Sequence, residues 1–332
     1  MEYYYTRERI TEDVAQEEGL NKESKIPIWN QMKALLTNRY FMILMILMTI
    51  GGIMDNFKGG NVQYFYIKFM LGGAENPMMY TLYQVITGIP LGLGAIAIYP
   101  LAKKFGVKNV CWVGYSLVFI GGIIGWLFPT NLPIVFASGF LRQVGMLPHA
   151  YIFATLLCYA YDSVEHKSGL RLEGMLGVAI IVAIQNAIYA PFAGGFESGI
   201  LKRGFVDVEG VTPNDSVLSF MIMAFYLLDI LLAAASIILL PFVDVEKKMP
   251  QINADLIERE RQAALARGEE WISPEELEQR EHEKLEAEAE ENRIADLKEH
   301  CRKKGLDFNA ENEKYLAKQA KKQSKKAAKV KK

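Results

Sequence analysis

Cysteine, histidine and tryptophan are scarce: 332 residues hold three Cys, four His and four Trp. Cys111, Cys158 and Cys301 are too few and too scattered for a disulfide framework, and read as buried small side chains or reduced thiols. No G-x-x-x-x-G-K-S/T phosphate loop, zinc-type Cys/His spacing or G-x-S-x-G nucleophile turn occurs, which argues against an ATP-driven pump built from this chain alone and leaves no metal or cofactor site to expect. No paired acid and base stands out either, so an enzyme is not expected. Charge of one sign is not in excess. With 37 Lys and Arg against 38 Asp and Glu, the net charge of −1 hides segregation along the chain and argues for neither an acidic nor a basic partner.

The mean hydropathy, +0.09, is unremarkable. Its distribution is not, because the apolar residues lie before Phe242 and the composition inverts after Val243. A helix crossing about 30 Å of hydrocarbon needs roughly 20 mostly apolar residues. Six segments qualify: Tyr40 to Met70, Met79 to Leu101, Asn109 to Phe128, Leu132 to Tyr161, Gly174 to Phe196, and Val217 to Phe242. The expected fold class is therefore all-α and membrane-spanning. The first and fourth segments exceed a perpendicular crossing, which predicts tilt, extension beyond the hydrocarbon, or breaks near Gly59-Gly60 and Pro148. The polar first forty residues predict no cleavable signal peptide.

Lys and Arg in the connections set the orientation. Arg7, Arg9, Lys22, Lys25, Lys33 and Arg39 precede the first span, Lys103, Lys104 and Lys108 follow the second, and Lys167 and Arg171 follow the fourth. On the other side, Lys202 and Arg203 are diluted by Glu197, Asp207, Glu209 and Asp215. Both termini are predicted to be cytoplasmic in a multi-pass protein of the cell membrane. The domain plan is a cytoplasmic loop over 1–39, a six-helix bundle over 40–242 and a charged, partly helical tail over 243–332.

Gly88 with Gly92 and Gly121 with Gly125 have the small-xxx-small spacing that allows close helix contact. Pro90 and Pro191 lie mid-span, where proline bends a helix. In the tail, Ser273-Pro274-Glu275-Glu276 reads as a capped helix start and Gly305 as a stop. That helix is expected to be polar nearly all round and held by i,i+4 charge pairs. Lys318 to Lys332 is a lysine cluster that reads as a solvated end, or as a segment attracted to anionic headgroups or to nucleic acid, though without interleaved aromatics it makes a poor nucleic-acid site.

Polar groups at depth are the functional candidates, because charges in hydrocarbon are costly. Asp55, Asn56 and Lys58 interrupt the first span beside Gly59-Gly60, with Asn61 and Gln63 following. Two readings are open there: a broken helix facing a cavity, or an Asp55 to Lys58 pair that neutralises itself. Arg142 and Gln143 lie in the fourth span and Asp229 in the sixth; Arg142 and Asp229 form either a structural pair or part of a gate. His149 is either a packed hydrogen-bond donor or a proton relay. Gln185 and Asn186 in the fifth span can donate and accept, and are either cavity groups, as hydroxyl recognition requires, or bonds to neighbouring helices. Tyr64, Tyr66, Tyr80, Tyr83, Tyr151 and Phe153 are either packing or surfaces for a sugar ring.

Four stretches carry a family resemblance. They are Tyr4-Tyr5-Thr6-Arg7-Glu8-Arg9-Ile10, Asn61-Val62-Gln63-Tyr64-Phe65-Tyr66-Ile67-Lys68-Phe69, Pro100-Leu101-Ala102-Lys103-Lys104-Phe105-Gly106, and the charged hinge from Tyr161 to Gly174. In order, they resemble the central loop, the end of the seventh helix, the eighth-to-ninth loop and the tenth-to-eleventh loop of the glycoside-pentoside-hexuronide:cation symporters. These are the melibiose permease relatives within the major facilitator superfamily. The resemblance runs from Tyr3 to Phe242 and is to the second half of that family only. It implies uptake of a sugar or glycoside by alternating access, coupled to sodium or protons, with the coupling carboxylates on six helices that this chain lacks. The family's eleventh-helix lysine aligns with Gln185 and its tenth-helix tryptophan with Phe153, which puts the coupling mechanism in question.

The expectation is thus the carboxyl-terminal half of a sugar symporter. Asn61, Gln63, Phe153, Gln185 and Asn186 are its substrate contacts, and Asp55, Lys58, Arg142 and Asp229 its gate or ion pairs. Expected partners are the bilayer, an amino-terminal half or a second copy of this chain, and the sugar. A truncated reading frame is the plainest account of Met1 inside the central loop. The alternative is a non-transporting scaffold that recruits partners through its tail.

Overall fold

The computed structural model describes residues 28–169, 174–206, 213–268, 271–304, 307–309 and 311–313. Tyr4 to Ile10, Arg171 in the hinge, Gly305 and the Lys318 to Lys332 cluster lie outside the described residues. The described residues fall into two compact units that divide between Ile257 and Glu258.

Among the described residues of the first unit, six helical stretches are long and apolar enough to cross a membrane: Arg39–Met70, Met78–Phe105, Val107–Leu127, Leu132–Ser168, Gly177–Lys202 and Asp215–Phe242. These match the expected spans to within a few residues at most ends. The fourth and fifth run further, to Ser168 and Lys202, because their last turns are polar and helical at once.

Helix α1 (Ile28–Thr37) precedes the bundle. The first span is α2 (Arg39–Phe57), a wide turn over Lys58–Val62, and α3 (Gln63–Met70). The break falls at the expected glycines, where Gly60 leaves the helical region at φ −87°, ψ −142°. The second and third spans are α4 (Met78–Phe105) and α5 (Val107–Leu127). The fourth is α6 (Leu132–Tyr151) and α7 (Phe153–Ser168), interrupted at Ile152, one turn beyond Pro148. The fifth is α8 (Gly174–Lys202). The sixth is α9 (Asp215–Ile222), a second wide turn over Met223–Leu227, and α10 (Leu228–Leu239), closed by a tight turn over Leu240–Phe242.

Asparagine starts three of these spans. Asn38 Oδ1 accepts from Tyr40 N at 2.9 Å, Asn131 Oδ1 from Ile134 N at 3.3 Å, and Asn214 Oδ1 from Val217 N at 3.0 Å. Each satisfies an amide that has no partner within its helix. The third span is capped differently. Glu246, on α11 (Val245–Arg267), accepts from Val107 N at 2.8 Å and Lys108 N at 3.0 Å.

Close packing is set by glycine where the third and fourth spans cross. A Cβ on Gly114 would lie 2.5 Å from Gly145 O, and one on Gly145 would lie 2.5 Å from Gly114 O. Gly121 and Gly125 serve the same interface, as their spacing predicts. Gly88 and Gly92 do not, since added Cβ atoms there would meet nothing within 4 Å. Their face of the second span is open.

The apolar packing continues past residue 243, where the tail is expected to begin. Val243, Val245, Met249 and Ile252 are buried and belong to the same apolar cluster as Leu35, Phe41 and Val164. The start of α11 therefore packs on the bundle, and the unit ends at Ile257. In the second unit, α12 (Pro274–Lys304) starts as its sequence predicts, with Ser273 Oγ accepting from Glu276 N at 3.2 Å. Arg280 with Glu276 and Lys303 with Glu299 form exposed i,i+4 pairs, each worth about 0.2–0.5 kcal/mol.

Candidate functional site

The break in the first span gathers the intramembrane charges. Lys58 is in the first residue of the wide turn, so its side chain leaves the regular helical progression and reaches the sixth span, where Nζ lies 2.9 Å from Asp229 Oδ2. Arg142 Nε, from the fourth span, lies 2.7 Å from the same oxygen. Its Nη2 donates to Met54 O at 2.9 Å and contacts Asp55 Oδ1 at 3.4 Å, and its Nη1 donates to Gln143 Oε1 at 2.9 Å. Lys58 Nζ also sits 4.0 Å from the centroid of the Phe225 ring. One carboxylate thus serves two cations, and Asp55 supplies the fourth charge that brings the formal sum to zero.

Exposure divides the four. Lys58, Arg142 and Asp229 are 6%, 7% and 3% exposed, whereas the Asp55 side chain is 49% exposed. The buried three hold each other in place, since removing one partner from a buried ion pair costs about 3–5 kcal/mol. The Asp55 contact is longer and wetter, and is the weak link. Of the two readings open for this break, the local Asp55 to Lys58 pair is not what forms: both residues bond outward to other spans.

A polar seam continues from Asp55 over the first, second and fifth spans. Asn56, Asn61 and Tyr64 are exposed on the first. Asn61 Nδ2 donates to Glu197 Oε1 at 2.9 Å, and Tyr64 packs edge-on to Tyr80, whose hydroxyl accepts from Gln84 Nε2 at 3.0 Å. Gln185 Nε2 donates to Met48 O at 2.8 Å. Gln63 points elsewhere: it is buried, and its Nε2 has no hydrogen-bond partner among the described residues.

The remaining candidates are separated from this seam. Phe153 has no exposed surface and packs in the bundle core with its ring 4.9 Å from His149. It lies one residue past the Ile152 break, which turns it inward. Asn186 is exposed on the fifth span, one helical position round from Gln185. Tyr66 and Tyr83 are buried; the Tyr66 hydroxyl bonds to Pro129 O and lies 3.2 Å from the Tyr226 hydroxyl. Tyr64 and Tyr151 keep exposed rings.

Sequence reasoning missed two glycines that admit polar side chains to the first span. A Cβ on Gly51 would fall 2.1 Å from His149 Nε2, and one on Gly52 would fall 2.6 Å from Gln185 Nε2. His149 Nδ1 lies 2.8 Å from the Tyr115 hydroxyl, so the imidazole bridges the first, third and fourth spans. The Gly-Gly pair one turn before Asp55 is the signal that marks this approach.

Among the described residues no cluster of His, Cys, Asp and Glu has the arrangement of a metal site. The arrangement offers amides and a carboxylate that can hydrogen-bond, and one longer, half-exposed ion pair beside a broken helix.

No curated protein matches the chain. The sequence profile of a family described as MFS/sugar transport protein matches residues 1–247. With an all-helical membrane bundle and broken spans under that match, the chain belongs to the MFS/sugar transport protein family of the major facilitator superfamily, which points to a transporter.

Proposed function

We propose that the six spans act as one half of a cation-coupled symporter for a sugar or glycoside, of the melibiose permease kind, working by alternating access. The observation that carries this reading is the polar seam of Asp55, Asn56, Asn61 and Gln185 on an otherwise apolar bundle. The exposed amides of Asn56 and Asn61 and a half-exposed carboxylate at that depth are costly in lipid and useful in a hydrated cavity. The second half is supplied by an amino-terminal six-span partner, or by a second copy of this chain in the same orientation, as the parallel repeats of this superfamily allow.

Asn61, Gln63 and Gln185 are the substrate contacts in this reading. Gln63 is buried away from the seam, so its unmet Nε2 donor, which costs about 1–3 kcal/mol, is relieved by a ligand hydroxyl only if the turn over Lys58–Val62 opens. Asn186 and Phe153 belong to the second rank: Asn186 faces outward from the fifth span, and Phe153 reaches substrate only if the fourth span rotates at Ile152. Asp55 with Arg142 is the gate, while Lys58, Arg142 and Asp229 form the fixed pivot. The coupling ion is sodium or a proton, and the plasma membrane with both termini in the cytosol is the proposed setting.

The test is uptake of labelled glycosides into proteoliposomes containing the full chain, alone and with an amino-terminal half, under a sodium or a proton gradient. Gradient-driven uptake that weakens several-fold in affinity on Asn61→Ala or Gln185→Ala supports the reading. Uptake with unchanged affinity in both variants removes those residues from the site.

The charged, separate second unit favours one other reading, a scaffold that recruits cytosolic partners. Deleting residues 269–332 discriminates, because this cut spares the docked start of α11. Transport survives it under the first reading, and the scaffold reading predicts that function is lost.

A further inference from the structure

An apolar groove of about 410 Å³ opens between the fifth and sixth spans, and neither the seam nor the ion pairs touch it. Phe57 from the first span forms its floor, Gly195 and Phe196 one wall, and Phe220, Ala224 and Leu231 the other. No hydroxyl, amide or charged side chain lines it, so it offers nothing to a sugar.

Its dimensions match a lipid chain. On the sixth span the lining residues run from Phe220 to Leu231, about 16 Å at 1.5 Å per residue. One leaflet of a bilayer is about 15 Å of hydrocarbon. The groove therefore starts near one interface and ends near the midplane.

A fixed cation stands at the interfacial end. Arg203, just past the end of α8, places its Cζ 4.1 Å from the centroid of the Phe220 ring, and Nη1 donates to Gly199 O at 2.8 Å. Its other N–H groups have no partner among the described residues, and Lys202 is exposed beside it. Of the nearby described acids, Glu197 is engaged by Asn61, and Asp215 sits in the first turn of α9, where the helix dipole favours it. A planar guanidinium held over an aromatic ring, with donors left over, is suited to phosphate.

We propose that this groove is a binding site for an anionic glycerophospholipid, one acyl chain lying between the fifth and sixth spans and the phosphate on Arg203. The charge complementarity at the mouth selects a lipid over an apolar protein face, which has no use for an interfacial guanidinium. The inference rests on the spans and not on the transport reading.

Native mass spectrometry of the full chain in a mild non-ionic detergent tests it, with dioleoylphosphatidylglycerol and dioleoylphosphatidylcholine offered at equal concentration. The expected result is several-fold higher retention of the phosphatidylglycerol, reduced to the phosphatidylcholine level by Arg203→Gln. Gly195→Leu should reduce retention of both lipids: its Cβ meets nothing within 4 Å, so the longer side chain enters the groove without displacing a neighbour. Ala224→Phe, from the opposite wall, should act alike. Equal retention of the two lipids overturns the proposal, as does unchanged retention in the groove variants. Displacement of the lipid by glycerol 3-phosphate alone would mark a free phosphate site, and displacement by a co-expressed amino-terminal half would mark a protein surface; either overturns it too.

Discussion

Arg142 Nε lies 2.7 Å from Asp229 Oδ2, joining the fourth and sixth spans across 87 residues of sequence. Lys58 shares that oxygen at 2.9 Å, so a single carboxylate neutralises two buried cations from different helices. Asp229→Asn leaves both cations without their main partner and should destabilise the bundle by about 3–5 kcal/mol. Adding Lys58→Met removes one of the stranded charges and should restore more than half of the loss. Melting temperatures of the single and double variants in detergent measure this; equal values would show that Lys58 was never held by Asp229.

How much of this was legible beforehand varies with the kind of interaction. Span number and approximate ends follow from the length of apolar runs, a property that lipid enforces on sequence directly. The break at Gly59-Gly60 and the Ser273 cap were visible because each depends on residues within one or two turns. The destination of Lys58 was not. Asp55 is its near neighbour in sequence, and only the wide turn over Lys58–Val62 sends its side chain to the sixth span instead. Phe153 is placed at the substrate by its alignment with the family's tenth-helix tryptophan, whereas its burial beside His149 depends on the break at Ile152, which has no local signature. The docked start of α11 did have one: Val245, Met249, Ile252 and Leu256 fall at i, i+4, i+7 and i+11, an apolar stripe hidden within a charged stretch.

The Gly51 and Gly52 positions should behave as a matched pair. Gly51→Ala drives a methyl group into the His149 ring, which separates the first span from the fourth. An overpacked core contact of this kind costs about 1–3 kcal/mol. His149→Ala opens the space and should recover much of that loss in the double variant. Gly52→Ala should push Gln185 from Met48 O, with rescue by Gln185→Ala and none by His149→Ala. Thermal unfolding of the four combinations at each site reads the coupling, and additive losses would contradict the packing described here.

The cap that Glu246 places on the third span makes a separate, local prediction. Glu246→Ala removes an anion and two acceptors from the amides of Val107 and Lys108, a loss of about 1–2 kcal/mol. Gly106→Ala should cost more than an ordinary loop substitution. Its φ of +84° is disfavoured for a side chain, and the new methyl group would lie 3.2 Å from the Glu246 carboxylate. Hydrogen exchange should speed up at 107–110 in both variants and stay unchanged at the far end of α5.

Acid should loosen the same corner by a different group. Asp244 sits between the sixth span and α11, where the Tyr40 hydroxyl and the Lys248 ammonium, at 3.2 Å, hold its carboxyl below the usual carboxylate range. A depressed carboxylate stabilises the folded state fully above its ordinary value, about 3.9. That stabilisation is lost as pH falls through the lower folded value. The contribution is modest because the Asp244 and Lys248 side chains are exposed. Protection of the first two turns of α11 should therefore be constant from pH 7 to pH 5 and decline below about pH 4. Asp244→Asn should flatten that decline, and an undiminished fall in the variant would assign the acid sensitivity to another group.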